Sequence, residues 1–279
     1  MIELPEALVI ARQMDEALAG KRIQRGNRGN TPHKFAFANG SSKEYEAILQ
    51  GKTVGRSSAH GNAILTAIEP GYALVLGGGG ERILFHPQGH KLPSKYHLWL
   101  GFEDGTALTV SVQGWGNTLL LSQASAGEHR HVQADRVTPL SDAFSWEYFR
   151  ALFAQLDSES KASIKYFLIT DPGVWGIGNG CLQDILFCAR IHPRRRAAEI
   201  NPAEQHTLYA AIQDTLTEMV DLGGRDSERD LHDRPGRYTR IMDSKTAGQR
   251  CPTCGTPIAK IQYLGGSCYL CPTCQTEPA

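Results

Sequence analysis

The feature that most constrains this chain is a pair of near-identical cysteine knuckles close to its C-terminus. Each reads Cys-Pro-Thr-Cys, the first from Cys251 to Cys254 and the second from Cys271 to Cys274, with sixteen residues between them. A two-residue gap lets a tight turn aim both sulfurs at one ion, and four thiolates suit tetrahedral zinc. Disulfide pairing and simple packing are the alternatives. We therefore predict a structural Zn²⁺ held by these four cysteines.

The segment between the knuckles predicts a β-hairpin whose tip lies at residues 264–267. Apolar residues alternate on both sides of this Leu-Gly-Gly-Ser turn, as expected of two paired strands. Lys260 lies on the hairpin away from the tip. Cys268 precedes Cys271 by three residues. The paired knuckles make Cys268 the weaker candidate ligand, so we expect it to pack as a small buried residue.

Composition sets broad limits on the chain. It has 279 residues, 41% hydrophobic and 21% charged, enough for a globular protein with two domains. Lys plus Arg and Asp plus Glu both number 29, so a nucleic-acid partner is neither required nor excluded by net charge. The sequence has no long apolar run and no signal-peptide pattern, so no membrane association is expected. Thiolates committed to metal favour a reducing cytoplasm.

Hydrophobic periodicity divides the chain into a β-rich part and a helical part. After a helix near the N-terminus, short apolar runs punctuated by Gly, Asp and Pro predict strands from about residue 23 to 121, typical of a sandwich or barrel. The four glycines at 77–80 suggest a flexible hairpin turn, because a phosphate loop would need a following Lys and a helix. Helical patterns then follow at 142–155, 160–170, 179–191 and 202–222.

Three separated motifs resemble one known family. The chain opens Met-Ile-Glu-Leu-Pro-Glu-Ala over residues 1–7, reads Gly-Ile-Gly-Asn-Gly-Cys-Leu-Gln-Asp-Ile over residues 176–185, and ends on the cysteine hairpin. In this order they resemble the formamidopyrimidine-DNA glycosylase / endonuclease VIII family of base-excision repair enzymes. The resemblance covers nearly the whole chain.

The resemblance implies an α+β fold. An N-terminal helix plus two-layered β-sandwich would be followed by a helical domain with a helix–two-turn–helix and a C-terminal β-hairpin zinc finger. The implied parts are a glycosylase-like domain at 1–125, a linker at 126–140, the helix–two-turn–helix domain at 141–244 and the zinc finger at 245–279. Asn179 would add its amide to backbone N–H groups that hold a phosphate. A role as helix cap is the alternative, and the two are compatible.

The catalytic signature departs from the family at its nucleophile. The family begins Met-Pro-Glu-Leu-Pro-Glu, and loss of the initiator Met exposes a proline amine that attacks the sugar C1′ and forms a Schiff base. Ile2 stands at that position here, and its bulk should block removal of Met1. A primary amine would then remain, displaced by one residue. Glu3 matches the catalytic Glu and Glu6 also matches, so Glu3, Met1 and Glu6 are the candidate catalytic residues.

Three DNA-contacting positions depart as well. Asn62 stands where the family has a catalytic Lys, and nearby His60 either replaces part of that cation or has no role. Counting twelve residues from Cys254 places Gly266 where the family has a phosphate-binding Arg. Lys260, on the same hairpin but away from the tip, is a candidate DNA contact. Trp115 lies in a region whose family counterpart fills the gap left by the flipped base. It either stacks on bases or is a buried core residue.

Taken together, the resemblance predicts a DNA glycosylase that binds lesion-containing double-stranded DNA, as a monomer, in the cytoplasm at the nucleoid. Glu3 would act as a general base on water, or as the acid/base partner of the Met1 amine. Because both amine positions are changed, hydrolysis of the N-glycosidic bond without AP-lyase activity is the expected form. A non-catalytic binder of damaged DNA is one alternative. A zinc-stabilised fold reused for another ligand is the other.

Overall fold

The computed structural model describes residues 1–31, 33–130, 132–133, 136–157 and 159–277. The chain forms two compact units. The first contains Met1–Arg136 and Val220–Tyr238, and the second contains Val137–Met219 and Thr239–Ala279. The segment at 220–238 therefore belongs with the N-terminal unit. The four-part division predicted from the sequence remains a prediction, and its linker falls partly outside the described residues.

The first unit is a two-sheet β structure with an N-terminal helix. Its elements are α1 (Leu4–Leu18), β1 (Ile23–Arg28), β2 (Ala36–Phe37), α2 (Ser42–Leu49), β3 (Thr53–His60), β4 (Ala63–Glu69), β5 (Tyr72–Gly77), β6 (Glu81–His86), β7 (Leu98–Phe102), β8 (Ala107–Val112), β9 (Gly116–Ser122) and α3 (Gln123–Ala126). One sheet has the strand order β1-β7-β8-β6 and the other β2-β9-β5-β4-β3. Pairing is antiparallel except between β2 and β9.

This arrangement confirms the predicted helix-plus-sandwich fold. Helix α2 was missed within the stretch predicted as mostly β. It begins at a capping box, in which Ser41 accepts from the Glu44 N–H and the Glu44 side chain accepts from the Ser41 N–H. Such a box satisfies two otherwise unpaired donors of the first turn. The core of this unit contains residues of α1 and of both sheets, together with Leu231 from the segment at 220–238.

The glycine segment at 77–80 is not a hairpin turn. Strand β5 pairs with β4 and β9 in one sheet, whereas β6 pairs with β8 in the other. The segment therefore carries the chain from one sheet to the other. Gly77 and Gly78 have φ of 91° and 87°, a region that favours glycine. The prediction of a hairpin was wrong because a turn signal does not reveal which strands pair.

The second unit is helical and ends in a hairpin. Its elements are α4 (Trp146–Ala154), α5 (Ile164–Ile169), α6 (Asn179–Cys188), a short 3₁₀ turn (Ala197–Glu199), α7 (Pro202–Asp221, whose last two residues lie in the first unit), β10 (Ala259–Tyr263) and β11 (Gly266–Leu270). These confirm the four predicted helices and the hairpin. Its two-residue turn is Leu264-Gly265, with φ of 48° and 72°, as a type I′ turn requires. No helix among the described residues is long and apolar enough to cross a membrane.

Candidate functional site

A buried ionic cluster surrounds the start of α1 in the first unit. Arg225 is 2% exposed and donates from Nη1 to Glu3 Oε1 at 3.1 Å. It also donates from Nε and Nη2 to the two carboxylate oxygens of Glu6, at 2.9 and 2.6 Å. Its Nη2 donates further to the carbonyl oxygen of Met1 at 2.7 Å. One guanidinium thus joins all three candidate catalytic residues.

The local sequence explains why two buried acids are tolerated here. Glu3 and Glu6 form a capping box at the N-terminus of α1, each accepting from the backbone N–H of the other. Carboxylates at this end of a helix are favoured by the unpaired N–H groups and the helix dipole. Arg225 then supplies the positive charge that two buried carboxylates need.

The Met1 amine lies at the edge of this cluster and faces a different acid. Its ammonium group donates to Glu228 Oε1 at 2.8 Å, and Met1 is 52% exposed. Glu3, by contrast, is 3% exposed. Ile2 next to it is buried in the core, and its N–H donates to the Gly79 carbonyl oxygen at 2.8 Å. Hydrogen bonds at the Met1 carbonyl oxygen and at the Ile2 N–H therefore hold the start of the chain, while the Met1 amine stays accessible.

The segment that carries Arg225 and Glu228 is attached to α1. Gly223 and Gly224 have φ of 76° and 100°, which allows the chain to turn directly after α7. The N–H of Arg225 donates to Glu6 Oε1 at 3.1 Å. Further along, Gln13 donates to Asp230 Oδ2 at 2.9 Å. These contacts place the guanidinium and the Glu228 carboxylate beside the N-terminus.

Two predicted DNA-contacting residues meet the glycine segment that also holds Ile2. Asn62 and Gly78 are joined by the Gly78 N–H, which donates to the Asn62 carbonyl oxygen at 2.8 Å. The Gly80 N–H donates to the Trp115 carbonyl oxygen at 2.8 Å. A Cβ at Gly79 would run into the same Trp115 carbonyl. Asn62, Trp115 and Ile2 thus all form hydrogen bonds with the same short segment at 77–80.

His60 lies at the end of β3 in the same unit. Its Nε2 is 3.1 Å from Ser58 Oγ, and burial lowers its pKa. Lowering favours the neutral imidazole, so this geometry does not support His60 as a replacement cation. Its assignment as a DNA contact stays a prediction.

Trp115 is 38% exposed, which excludes the fully buried core position weighed from the sequence. Phe35 and Phe37 are also exposed, at 49% and 43%. The Gly116 N–H donates to the Phe35 carbonyl oxygen at 3.0 Å, so the neighbour of Trp115 pairs with this aromatic segment. The ammonium of Lys34 lies 5.4 Å from the Phe35 ring centre. We call Phe35, Phe37 and Trp115 the aromatic strip.

Glu81 is a buried carboxyl group beside this loop that the sequence did not single out. Its Oε2 accepts from the Gly79 N–H at 2.9 Å and its Oε1 from the Asn117 N–H at 2.6 Å. Burial raises the pKa of Glu81 to about 7, even though these hydrogen bonds act in the opposite direction. The group therefore changes protonation near neutral pH.

In the second unit, Asn179 and Lys165 converge near the start of β11. A Cβ placed on Gly266 would lie 3.6 Å from Asn179 Nδ2 and 3.8 Å from Lys165 Nζ. Asn179 is exposed and is the first residue of α6. The N-cap position is Gly178, and no side chain caps the helix. The alternative role of Asn179 as a side-chain cap is therefore wrong, and its amide is available to a ligand.

Lys165 is fully buried and holds the hairpin through two hydrogen bonds. Its Nζ donates to the Tyr263 carbonyl oxygen at 2.8 Å and to Cys268 Sγ at 3.4 Å. Cys268 is 2% exposed, as expected for a packing residue. Lys260, the predicted DNA contact, is exposed on β10 with its Nζ 5.9 Å from the Tyr269 ring centre.

The four knuckle cysteines meet as predicted. Cys251, Cys254, Cys271 and Cys274 each offer an Sγ atom, and all four atoms lie within 4.8 Å of one another. None is in a disulfide. Sulfurs at about 2.3 Å from a central zinc would lie just under 4 Å apart in a tetrahedron. The geometry therefore suits one metal ion, and Cys268 lies outside the cluster.

Sequence reasoning missed Arg225, Glu228 and Lys165. The stretch at 223–233 reads as mixed charge with no clean basic patch, and nothing in it shows that one Arg becomes buried against the N-terminus. The available signal was the Gly-Gly pair, which breaks α7 and directs the following residues. Lys165 lies in an apolar helical run, where a lone Lys is an unusual core residue.

Comparison with known proteins gives a consistent result. Residues 1–113 match the formamidopyrimidine-DNA glycosylase N-terminal domain, and residues 137–230 match the formamidopyrimidine-DNA glycosylase H2TH domain. A formamidopyrimidine-DNA glycosylase of Halalkalibacterium halodurans is 29% identical over 99% of this chain and 100% of that protein. One of Symbiobacterium thermophilum is 29% identical over 100% of this chain and 90% of that protein.

Solved structures give the same fold. The Lactococcus lactis Fpg in complex with an abasic site containing DNA superposes with a TM-score of 0.84 at 22% identity, covering 99% of this chain and 100% of that one. The same protein in complex with a Fapy-dG containing DNA also gives a TM-score of 0.84.

Proposed function

Because this chain belongs to the formamidopyrimidine-DNA glycosylase family, we propose that it is a base-excision repair glycosylase. It releases a modified base from double-stranded DNA by hydrolysing the N-glycosidic bond. The observation that carries this proposal is the cluster at the N-terminus, which joins Met1, Glu3 and Glu6 through Arg225. Glu3 stands at the position of the family's catalytic Glu, and Met1 is next to the position of the family's proline nucleophile.

Glu3 is the proposed general base for the hydrolytic step. A carboxylate that accepts a proton from water increases the nucleophilicity of that water toward C1′ of the sugar. The guanidinium of Arg225 donates to Glu3 Oε1 at 3.1 Å and thereby fixes the orientation of this carboxylate. Glu6 contributes indirectly, because it orients Arg225 through two hydrogen bonds.

DNA binding is proposed to use both units. In the first, the aromatic strip offers exposed rings that stack on unpaired bases, and stacking tolerates any base. In the second, Asn179 at the start of α6 adds an amide to the N–H groups of the helix terminus, which favour a phosphate. Lys260 and Asn62 are further proposed contacts. His60 is proposed as a DNA contact in its neutral form, not as a replacement for the family's catalytic cation.

The cysteine cluster is proposed to hold a structural Zn²⁺. Four thiolates with no open position are typical of a structural site rather than a catalytic one. The ion would fix the two knuckles and thereby the base of the hairpin at 259–270. A thiolate site is also compatible with the reducing cytoplasm, where we place the protein with the chromosomal DNA as a monomer.

A lesion panel tests this function directly. Duplexes that each carry one oxidised purine, oxidised pyrimidine or formamidopyrimidine are incubated with the protein, and free base is measured by mass spectrometry. Release from at least one duplex is expected, and Glu3→Gln should abolish it. Glu16→Gln, an exposed acid on the same helix, is the matched control. Binding without release from any duplex would contradict the proposal in favour of a damaged-DNA binder.

A further inference from the structure

We propose that Glu228 is the proton-transfer partner of the Met1 amine, and that this pair forms an imine with the aldehyde of an abasic sugar. This inference rests on the proposed function, whose hydrolytic step produces that sugar. It adds a second activity, because an imine at C1′ permits strand cleavage by elimination. Arg225 is proposed as the positioning residue that holds Met1 in place.

Exposure distinguishes the two acids near the N-terminus. Glu3 is almost completely buried, with its carboxylate engaged by Arg225 and by the helix N-terminus. The Glu228 side chain is 22% exposed and lies directly on the amine at 2.8 Å. A group that handles protons for an amine must lie within hydrogen-bond reach of it. Glu228 meets this requirement, so we assign it the role of acid/base partner of the Met1 amine, while Glu3 keeps its proposed role as general base on water.

The amine is held by contacts that leave its outer side open. The Met1 carbonyl oxygen accepts from Arg225 at 2.7 Å, and the following N–H, of Ile2, donates to Gly79. The N–H of Glu228 donates to the Arg225 carbonyl oxygen at 3.0 Å, which fixes the acid relative to the guanidinium. Ser227 Oγ lies 3.2 Å from the same Glu228 oxygen that receives the amine. Such restraint lowers the entropic cost of attack.

The proposed steps balance as follows. The Met1 ammonium gives one proton to the Glu228 carboxylate, and the free amine attacks the C1′ carbonyl carbon. A proton then moves from nitrogen to the new alkoxide oxygen, which gives a carbinolamine. Glu228 returns its proton to the hydroxyl, which leaves as water while the nitrogen lone pair forms the C=N bond. The product is a protonated imine beside an ionised Glu228.

A primary amine makes this partner necessary. An imine from a secondary amine has no proton to lose and is always cationic, whereas an imine from a primary amine is cationic only while protonated. Only the cationic form withdraws electrons strongly enough for elimination at C2′. An adjacent carboxylate stabilises the protonated form. Glu228 therefore compensates for the absence of proline at the second position of the chain.

Borohydride trapping on a duplex with a preformed abasic site tests the proposal. Intact mass should show that Met1 is retained, and peptide mapping should place the reduced adduct on the α-amine of the peptide that begins with Met1. Absence of an adduct, an adduct on a lysine or removal of Met1 would overturn it. Base release from the lesion panel is measured separately. A failure of the glycosylase function can therefore be told apart from a failure of imine formation, which is tested on a preformed abasic site.

Variants test the role of the acid. Glu228→Gln should reduce the rate of adduct formation about 100-fold, in the range of general acid–base catalysis, while affinity for the abasic duplex is unchanged. Glu228→Asp should recover part of the rate. Glu16→Gln, which removes the charge of an exposed acid elsewhere on α1, is the control and should behave as wild type. An unchanged rate in Glu228→Gln, or a loss explained by weaker DNA binding, would refute the assignment.

Discussion

The guanidinium of Arg225 and the carboxylate of Glu6 form a two-pronged ion pair in which both side chains are almost completely buried. They are 219 residues apart in sequence, and the pair attaches the segment after α7 to the first turn of α1. Arg225 also reaches Glu3 and the Met1 carbonyl oxygen. The N-terminus of the chain is thus organised by a residue from a distant segment of the same unit.

Loss of the Arg225 charge should be strongly destabilising. Arg225→Met leaves two buried carboxylates without their cation, and removing one partner of a buried pair costs about 3–5 kcal/mol. The free energy of unfolding in urea measures this loss. Adding Glu6→Gln should recover part of it, since the double variant buries one charge fewer. If the double variant lost as much stability as the two single variants added together, Arg225 and Glu6 would not be directly coupled.

The sequence predicted the elements better than the contacts between them. The knuckle spacing alone located the four thiolates, because a tetrahedral site imposes local rules on spacing. The helices at 146–154, 164–169, 179–188 and 202–221 follow from apolar periodicity. Pairing of Arg225 with Glu6 follows from no local rule, because it depends on where the chain returns after α7. The glycines at 77–80 predicted a turn, but they could not show that the chain crosses there from one sheet to the other.

Glu81 should make stability depend on pH. Burial raises its pKa from 4.5 to about 7, so between these values the folded state binds a proton that the unfolded state has released. Stability therefore falls as pH rises from about 4.5 to 7, by on the order of 3 kcal/mol. Chemical denaturation of wild type and Glu81→Gln at several pH values measures this slope. The stability of wild type relative to Glu81→Gln should decrease as pH rises, and a difference that does not change with pH would contradict the assignment.

Metal removal should destabilise the C-terminal hairpin of the second unit. The purified protein should contain one zinc ion, released by a chelator with loss of a thermal transition, because a structural site contributes directly to folding. Cys271→Ser should lose the metal. Cys268→Ser, a buried cysteine of the same hairpin outside the cluster, should retain it. Metal content that depends equally on Cys268 would contradict the four-ligand site.

The aromatic strip should contribute to DNA affinity without sequence preference. Trp115→Ala should weaken binding to a lesion duplex by about 1–3 kcal/mol, the range of one base–aromatic stack, which is about 5- to 150-fold in Kd. Trp115→Phe keeps a ring and should recover most of this loss. Fluorescence anisotropy on several duplex sequences measures both variants. Equal losses in Trp115→Ala and Trp115→Phe would show that the ring is not stacking.

An arginine at the start of β11 should increase DNA affinity. Gly266 has an ordinary φ, and a Cβ there would meet Asn179 Nδ2 and Lys165 Nζ only at van der Waals distance, so Gly266→Arg should fold. The new cation would occupy the position that the sequence resemblance aligns with the family's phosphate-binding arginine. One additional phosphate contact should steepen the dependence of log Kd on log salt by about 0.9. Gly266→Ala controls for the added Cβ and should leave the slope unchanged. A slope that stays the same in Gly266→Arg would show that DNA does not reach this end of the hairpin.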